Sequence, residues 1–370
     1  MKNTILTTDN KIIQKPSFFQ KLTSFTKNPY NMMVLFVVAI LMVQILGIAG
    51  LIRPSNVTFF TSTLIFFIAA MGFTILLGYA GLASLGTAGF LIIGTFSITI
   101  LNIHYGFPIE LAVFTGIALS LVLGLIIGFI SLRIEGMYLA IVTLGISEII
   151  LDIVKKWDKA GAGNPVRITK FTFFGIPFSQ FDTFSVAYYV IVLVIGLLMF
   201  VTFNMINSPT GRAMLGLKNS TSAAQAMGVS LVKYRLTAFM FATFTAGVAG
   251  VLNFFKYHQT NLTMGGIGIS LNILAAVVIG GMKSSYGVFA GTFIVFSLND
   301  LLLKNLPFFN NYPSAFYIVN GALIILMVMF YPGGITRLFT DLKNLFKKLF
   351  GKIKVTWKEY RYGKDSDFIE

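Results

Sequence analysis

The sequence predicts an all-α fold, a polytopic bundle of about ten transmembrane helices with one short helix in a cytoplasmic loop. Hydrophobic residues make up 56% of the 370 residues and charged residues 11%, whereas a soluble chain carries about 25% charge. The apolar residues also fall into runs long enough to cross a hydrocarbon core of ~30 Å. No polar stretch is long enough to form a second core. We therefore expect one membrane domain at 32–335, between basic cytoplasmic segments at 1–31 and 336–370.

The predicted spans alternate in direction, starting from a cytoplasmic N-terminus. They are 32–51, 57–77, 90–104, 108–131, 137–154, 186–206, 237–257, 269–282, 287–303 and 316–332. The even count returns the C-terminus to the cytoplasm and places the loop 207–236 there too. The segment 155–185 then falls outside, although it carries five basic residues against two acids.

The formal net charge of +15 is distributed as in a membrane protein, not as in a nucleic-acid-binding protein. Residues 1–31 carry five Lys and one Asp, 207–236 carry four basic residues and no acid, and 333–370 carry nine basic residues and five acids. Positive cytoplasmic segments that face an anionic inner leaflet produce this pattern. We therefore expect contact with membrane lipid and none with nucleic acid.

Two of the predicted spans, 90–104 and 269–282, are short for a ~30 Å core, and a glycine-rich segment precedes the first. Its glycines are Gly78, Gly81, Gly86 and Gly89. Each weakens a helix by about 1 kcal/mol relative to Ala. Broken backbone at membrane depth is tolerated where it is buried or lines a wet cavity. Gly78, Gly81, Ser84 and Gly86 are therefore candidates for a translocation path, and close packing through small residues is the alternative.

Two acids lie four residues apart in the span 137–154 and share one helical face. Glu148 is the deeper of the two and is a candidate for the same path, because acids inside a membrane are costly and often functional. Asp152 lies near the outer interface beside Lys155 and Lys156, where an exposed ion pair explains it.

The loop 208–228 is polar, cationic and patterned for a short helix. Ser208-Pro209 ends the preceding span, and Gly211 is expected to allow a turn. Ser220 or Thr221 can cap the helix by accepting a backbone N–H, and Gly228 suits the left-handed position that ends it. Its predicted small-residue face consists of Ala223, Ala224, Ala226 and Met227. The alternatives are a surface that docks a soluble partner and an ordinary cytoplasmic loop.

The sequence contains no set of residues that predicts catalysis, so we expect no enzyme, no cofactor and no metal site. There is no nucleophile–base set and no pair of catalytic carboxylates, and two histidines cannot build a zinc site unaided. Gly280-Gly-Met-Lys-Ser-Ser285 is not a phosphate-binding loop, since Met282 separates Lys283 from the preceding glycine.

Six ordered motifs over residues 60–335 resemble the permease of branched-chain amino acid ABC importers, of the LivM type. They are Gly78-Tyr-Ala-Gly-Leu-Ala-Ser-Leu-Gly86, Leu132-Arg-Ile-Glu-Gly-Met-Tyr-Leu-Ala-Ile-Val-Thr-Leu144 with Glu148-Ile149, Gly211-Arg-Ala213, Ala223-Ala-Gln-Ala-Met-Gly228, Ala246-Gly-Val-Ala-Gly250, and Val278-Ile-Gly-Gly281 with Tyr286-Gly287. The chain departs from the family at Asn219, Thr221 and Gln225, where the family loop has acids.

The resemblance implies a bacterial plasma-membrane importer with a second permease subunit, two ATPase subunits and an extracytoplasmic substrate-binding protein. The loop would then be the coupling helix that docks in the ATPase, with Gly211, Arg212, Ala223, Ala224 and Gly228 as its key residues. The expected cargo is branched-chain or other amino acids. The alternative cargo for an importer of this architecture is urea or a nucleoside. The alternatives to an importer are an ATP-independent channel, a secondary transporter or a non-transporting scaffold.

Overall fold

The chain folds into a bundle of α-helices with one small β-hairpin. The computed structural model describes residues 28–131, 136–157, 160, 164–168, 170–179 and 186–301, together with single positions and short stretches between 318 and 341. Its helices are α1 (Pro29–Ile48), α2 (Pro54–Phe73), α3 (Thr87–Thr99), α4 (Ile109–Ser131), α5 (Met137–Lys156), α6 (Val186–Asn207), α7 (Pro209–Asn219), α8 (Thr221–Ala226), α9 (Leu231–Tyr257), α10 (Ile267–Gly280) and α11 (Ser285–Leu301), and its strands are β1 (Lys170–Phe173) and β2 (Ile176–Ser179).

Within the described part of the chain, six helices are long and apolar enough to cross a membrane. They are α1, α2, α3, α4, α6 and α9, and α10 and α11 are shorter apolar helices. Helix α5 occupies the predicted span 137–154 and carries its acids. The predicted span 316–332 lies outside the described residues, except at isolated positions. Residues 1–27 and 342–370, which belong to the two predicted terminal segments, also lie outside them.

The prediction of a short third span is wrong, whereas the helix at the predicted eighth span is short, as expected. Helix α3 starts earlier than predicted and continues through a π-helical turn, so that the apolar helix Thr87–His104 is 18 residues long. Helix α10 has only 14 residues and rises about 21 Å at 1.5 Å per residue. It begins at Ile267, after a 3₁₀ turn at Leu262–Gly265.

Helix α9 is the centre of the bundle and packs against α2, α3 and α4. Small residues allow these helices to approach closely. A Cβ atom at Gly250 would overlap the Leu91 carbonyl of α3, and one at Gly94 of α3 would overlap the Gly247 carbonyl of α9. The Ala246–Gly250 motif is therefore a packing surface, of the kind that brings transmembrane helices together.

The hairpin β1–β2 lies in the segment 155–185, for which the sequence analysis predicted no secondary structure. Its strands pair antiparallel, with Phe171 opposite Phe178. The preceding residues dock on the chain after α9, because the Ile168 amide donates to the His258 carbonyl at 3.0 Å and Arg167 Nε donates to Gln259 Oε1 at 2.8 Å. The contact of residues 167–168 with residues 258–259 joins distant parts of the chain, and the local sequence pattern does not predict it.

Helix α6 places the hairpin segment and the loop 208–228 at opposite ends of the bundle. It starts at Val186, just after that segment, and ends at Asn207, where the loop begins. Its 22 residues rise about 33 Å, the thickness of a hydrocarbon core. Arg167, which bonds Gln259 just after α9, therefore lies at the end away from the loop, as the alternating path predicts.

Candidate functional site

The loop 208–228 forms two helices, α7 and α8, where the sequence predicted one. Ser208 caps α7 by accepting from the Thr210 amide at 3.2 Å. Ser220 caps α8 by accepting from the Ala223 amide at 3.4 Å, which confirms the predicted cap. Gly228 follows α8 with φ of +79°, the left-handed position expected for it.

Gly211 does not form the turn predicted for it. It lies inside α7 and is buried. A Cβ atom there would overlap the Ile206 carbonyl at the end of α6, so this glycine allows α7 to fold back closely against α6. Arg212, the next residue, is exposed and donates from Nη1 to the Asn207 carbonyl at 3.2 Å.

The predicted alanine face of the loop is divided between two sides of α8. Ala224 is only 3% exposed, and it faces α7 at Gly216. Ala223 and Ala226 are exposed, and Met227 is 80% exposed. The outward surface of α8 therefore includes Ala223, Ala226 and Met227 together with the exposed Ser222 and Gln225. Ala224 holds α8 against α7.

Helix α7 is amphipathic and buries Met214 and Leu217. It contacts α6, α9 and the π-helical turn Thr74–Tyr79 that continues α2. The loop is thus anchored on the bundle through one face.

The predicted break in the glycine-rich segment is present. Helical structure ends at Tyr79 and resumes at Thr87, and Gly81 has φ of +72°. Gly78 is buried, and a Cβ atom there would overlap the Met282 carbonyl that follows α10. We call residues 80–86 the glycine break.

Lys218 joins the loop to the π-helical turn just before the glycine break. Its Nζ donates to the Leu77 carbonyl at 3.0 Å and to the Gly78 carbonyl at 2.8 Å. Burial, and then the nearby charge of Lys283, lower the pKa of the Lys218 ammonium. The sequence analysis assigned Lys218 no role, and the only sequence signal was a cation in an acid-free loop.

Helix α5 holds the far side of the glycine break. The Leu85 amide donates to Thr143 Oγ1 at 2.9 Å. Ser84 is buried, and its hydroxyl accepts from the Gly86 amide at 3.3 Å. Sequence reasoning missed Thr143, because a threonine in an apolar span has no distinguishing pattern.

Glu148 is half-buried on α5, one residue after Ser147 and on the same helix as Thr143. The Ser147 side chain is buried, and among the described residues its hydroxyl has no hydrogen-bond partner. Asp152 and Lys155 form an ion pair at 3.5 Å, with both side chains largely exposed. The predicted exposed pair is thereby confirmed for Asp152.

A narrow cavity lies where the glycine break meets the start of α3 and the middle of α9. Its polar wall is formed by Ser84, Thr87 and Thr243, and its apolar wall includes Leu76 and Phe239. Its volume is about 10 Å³, the room of a single water. In this conformation the cavity has no room for a molecule larger than water.

The bundle and this site define a class, a multi-pass helical membrane protein whose polar loop contacts a broken transmembrane helix. Within the described residues, no group of three or more His, Cys, Asp or Glu is arranged to hold a metal ion.

The chain belongs to the family described as "Branched-chain amino acid transport system / permease component", which it matches over residues 55–328. It is 31% identical over 337 residues to the high-affinity branched-chain amino acid transport system permease protein LivM of Escherichia coli, covering 84% of this chain and 77% of that protein. The LivM protein of Salmonella typhimurium is 30% identical over 323 residues, 81% of this chain and 74% of that protein. No solved structure matches the chain.

A more distant relative is a permease for another kind of solute. The L-arabinose ABC transporter permease protein AraH of Azospirillum brasilense is 25% identical over 203 residues, 51% of this chain and 55% of that protein. Similarity to these permeases therefore extends beyond one kind of cargo.

Proposed function

We propose that this chain is the permease subunit of an ATP-binding-cassette importer that carries branched-chain or other aliphatic amino acids. The observation that carries the proposal is the direct contact between α7 and the π-helical turn that leads into the glycine break, in a member of this permease family. ATP hydrolysis would occur on other subunits, and the chain would supply the path through the membrane.

The coupling element of this importer would be the pair α7–α8. Its exposed Ala223, Ala226 and Met227 form a small uncharged surface beside the exposed Ser222 and Gln225, where another protein can approach closely. Its other face is fixed to the bundle by Met214 and Leu217. A rigid element that is exposed on one side and anchored on the other can transmit a displacement from an ATPase groove into the membrane.

The translocation path would run along the glycine break and α5, past Gly78, Gly81, Ser84 and Gly86 toward Glu148. Broken backbone is tolerated inside a membrane where it lines a pathway, and discontinuous helices mark substrate sites in many transporters. The hydroxyls of Ser84, Thr87 and Thr243 beside apolar side chains suit a cargo with one polar and one aliphatic end. The cavity between them would widen when the importer opens.

The working protein would be a complex in a bacterial plasma membrane. Its other members would be a second permease subunit, two ATPase subunits and an extracytoplasmic binding protein. The loop 208–228 and both chain ends would face the cytoplasm, and the hairpin β1–β2 would face outward. The basic charge of the loop supports this orientation.

The experiment that tests the proposed cargo is competitive uptake by the complete complex. The complex is reconstituted with its own binding protein in liposomes that contain ATP, and uptake of labelled leucine is measured against excess isoleucine, urea, adenosine or L-arabinose. We expect isoleucine to compete and the other three solutes to leave leucine uptake unchanged. Uptake of one of the other solutes in place of leucine would assign that cargo and refute the amino-acid proposal.

A further inference from the structure

One side chain bonds α7 to the backbone just before the glycine break. Lys218 lies in the last turn of α7, and its ammonium bonds the carbonyls of Leu77 and Gly78. Those residues end the π-helical turn of α2, where the last carbonyls of a helix have no intrahelical partner. A cation is favourable at such a helix end, because the carbonyl dipoles present partial negative charge there.

The local backbone is shaped to admit this side chain. Gly81 has φ of +72°, and a Cβ atom there would lie 3.0 Å from Lys218 Cγ. Any larger residue would crowd the aliphatic part of the lysine and would strain the backbone. The glycine therefore serves both the chain reversal after Tyr79 and the close passage of Lys218.

The other contacts of this region lead away from the loop. Gly78 packs on the Met282 carbonyl, and the Tyr79 hydroxyl donates to the Lys283 carbonyl at 3.4 Å. Beyond the glycine break, the Leu85 amide bonds Thr143 of α5, and the Ala88 amide donates to Ser270 Oγ of α10 at 3.0 Å. The segment that begins at Leu77 and Gly78 is thus connected to α5 and α10 by hydrogen bonds and close packing.

We propose that Lys218 is the positioning residue that transmits movement of α7–α8 into the glycine break, so that the nucleotide state of the ATPase subunits controls the path along the glycine break and α5. The inference rests on the proposed function and adds to it the residue through which coupling passes. Lys218 acts through the Leu77 and Gly78 carbonyls and does not touch the cargo.

The first test compares three variants in the complete complex reconstituted with its binding protein. Lys218→Met keeps the aliphatic stem and removes the charge, Lys218→Arg keeps the charge, and Lys233→Met makes the same change at an exposed lysine of α9. For each variant, the amount of leucine taken up is divided by the amount of ATP hydrolysed, both measured per assembled complex. We expect this ratio to fall at least about tenfold in Lys218→Met, the scale of a lost charged hydrogen bond, and to stay within about twofold in the other two. An unchanged ratio in Lys218→Met would overturn the proposal.

A second measurement does not depend on which cargo is carried. The chain has no cysteine, so Ala83→Cys places a single thiol in the glycine break. In the complex, its labelling rate by a thiol reagent should change when non-hydrolysable ATP analogue is added, and the added Lys218→Met change should abolish that response. If the labelling rate does not change with nucleotide while Lys218 is present, the proposal is overturned. This outcome can be measured even if Lys218→Met prevents assembly. A nucleotide response without leucine uptake would refute the proposed cargo and leave the role of Lys218 standing.

Discussion

The division of the alanine face between two sides of α8 predicts opposite effects for neighbouring substitutions. Ala224 is buried against α7, whereas Ala223 is exposed. Ala224→Leu adds three carbon atoms where no room exists and should destabilise the chain by about 1–3 kcal/mol. Ala223→Leu places the same atoms in open space, and leucine is nearly as good a helix former as alanine. It should leave the stability of the isolated chain unchanged and instead crowd the docked ATPase.

Two measurements separate these effects. Thermal unfolding of the purified chain in detergent should shift down by roughly 2–4 °C per kcal/mol in Ala224→Leu and stay unchanged in Ala223→Leu. Association with the ATPase, measured by titration of the purified subunits, should weaken at least about tenfold in Ala223→Leu, which corresponds to about 1.4 kcal/mol. If Ala223→Leu binds the ATPase as the wild type does, the outer face of α8 is not the docking surface. If Ala224→Leu melts as the wild type does, the packing described for α8 is wrong.

Two further predictions concern backbone strain and orientation. Gly228→Val should abolish transport but not membrane insertion, because a β-branched residue at φ of +79° costs about 1–2 kcal/mol or more. An immunoblot of membranes measures insertion, and an uptake assay measures transport. Normal transport in this variant would show that the end of α8 is not constrained. An impermeant thiol reagent applied to intact cells should label Lys155→Cys and not Arg212→Cys. Both positions are exposed, and the length of α6 places the segment that begins at position 155 and the loop that holds position 212 at opposite ends of the bundle. Labelling of position 212 alone would reverse the proposed orientation.

The helical elements could be predicted from sequence because each depends on local composition. Apolar runs gave the order of the spans, and Ser220 and Gly228 gave the beginning and end of α8, since caps and left-handed positions restrict residue type strongly. The break near Gly81 was predictable for the same reason.

Features that depend on contacts between distant residues could not be predicted. Gly211 carried the same sequence signal as a turn glycine, but it serves a close approach of α7 to the end of α6. Ala223 and Ala224 are chemically identical, and only the position of α7 decides which of them is buried. The docking of residues 167–168 on the chain after α9 and the bond from Lys218 to Gly78 join stretches far apart in the chain, which a pattern along the sequence does not record.

The most direct test of the central claim is whether this chain moves solute only as part of an ATP-driven complex. Liposomes are prepared with the chain alone and with the second permease subunit, the ATPases and the external binding protein, and labelled leucine is followed over time. The account predicts accumulation above the external concentration only in the complete complex with internal ATP, and none after omission of ATP, ATPase or binding protein. Rapid leucine entry through the chain alone, stopping at equal concentrations inside and outside, would contradict it and identify a channel.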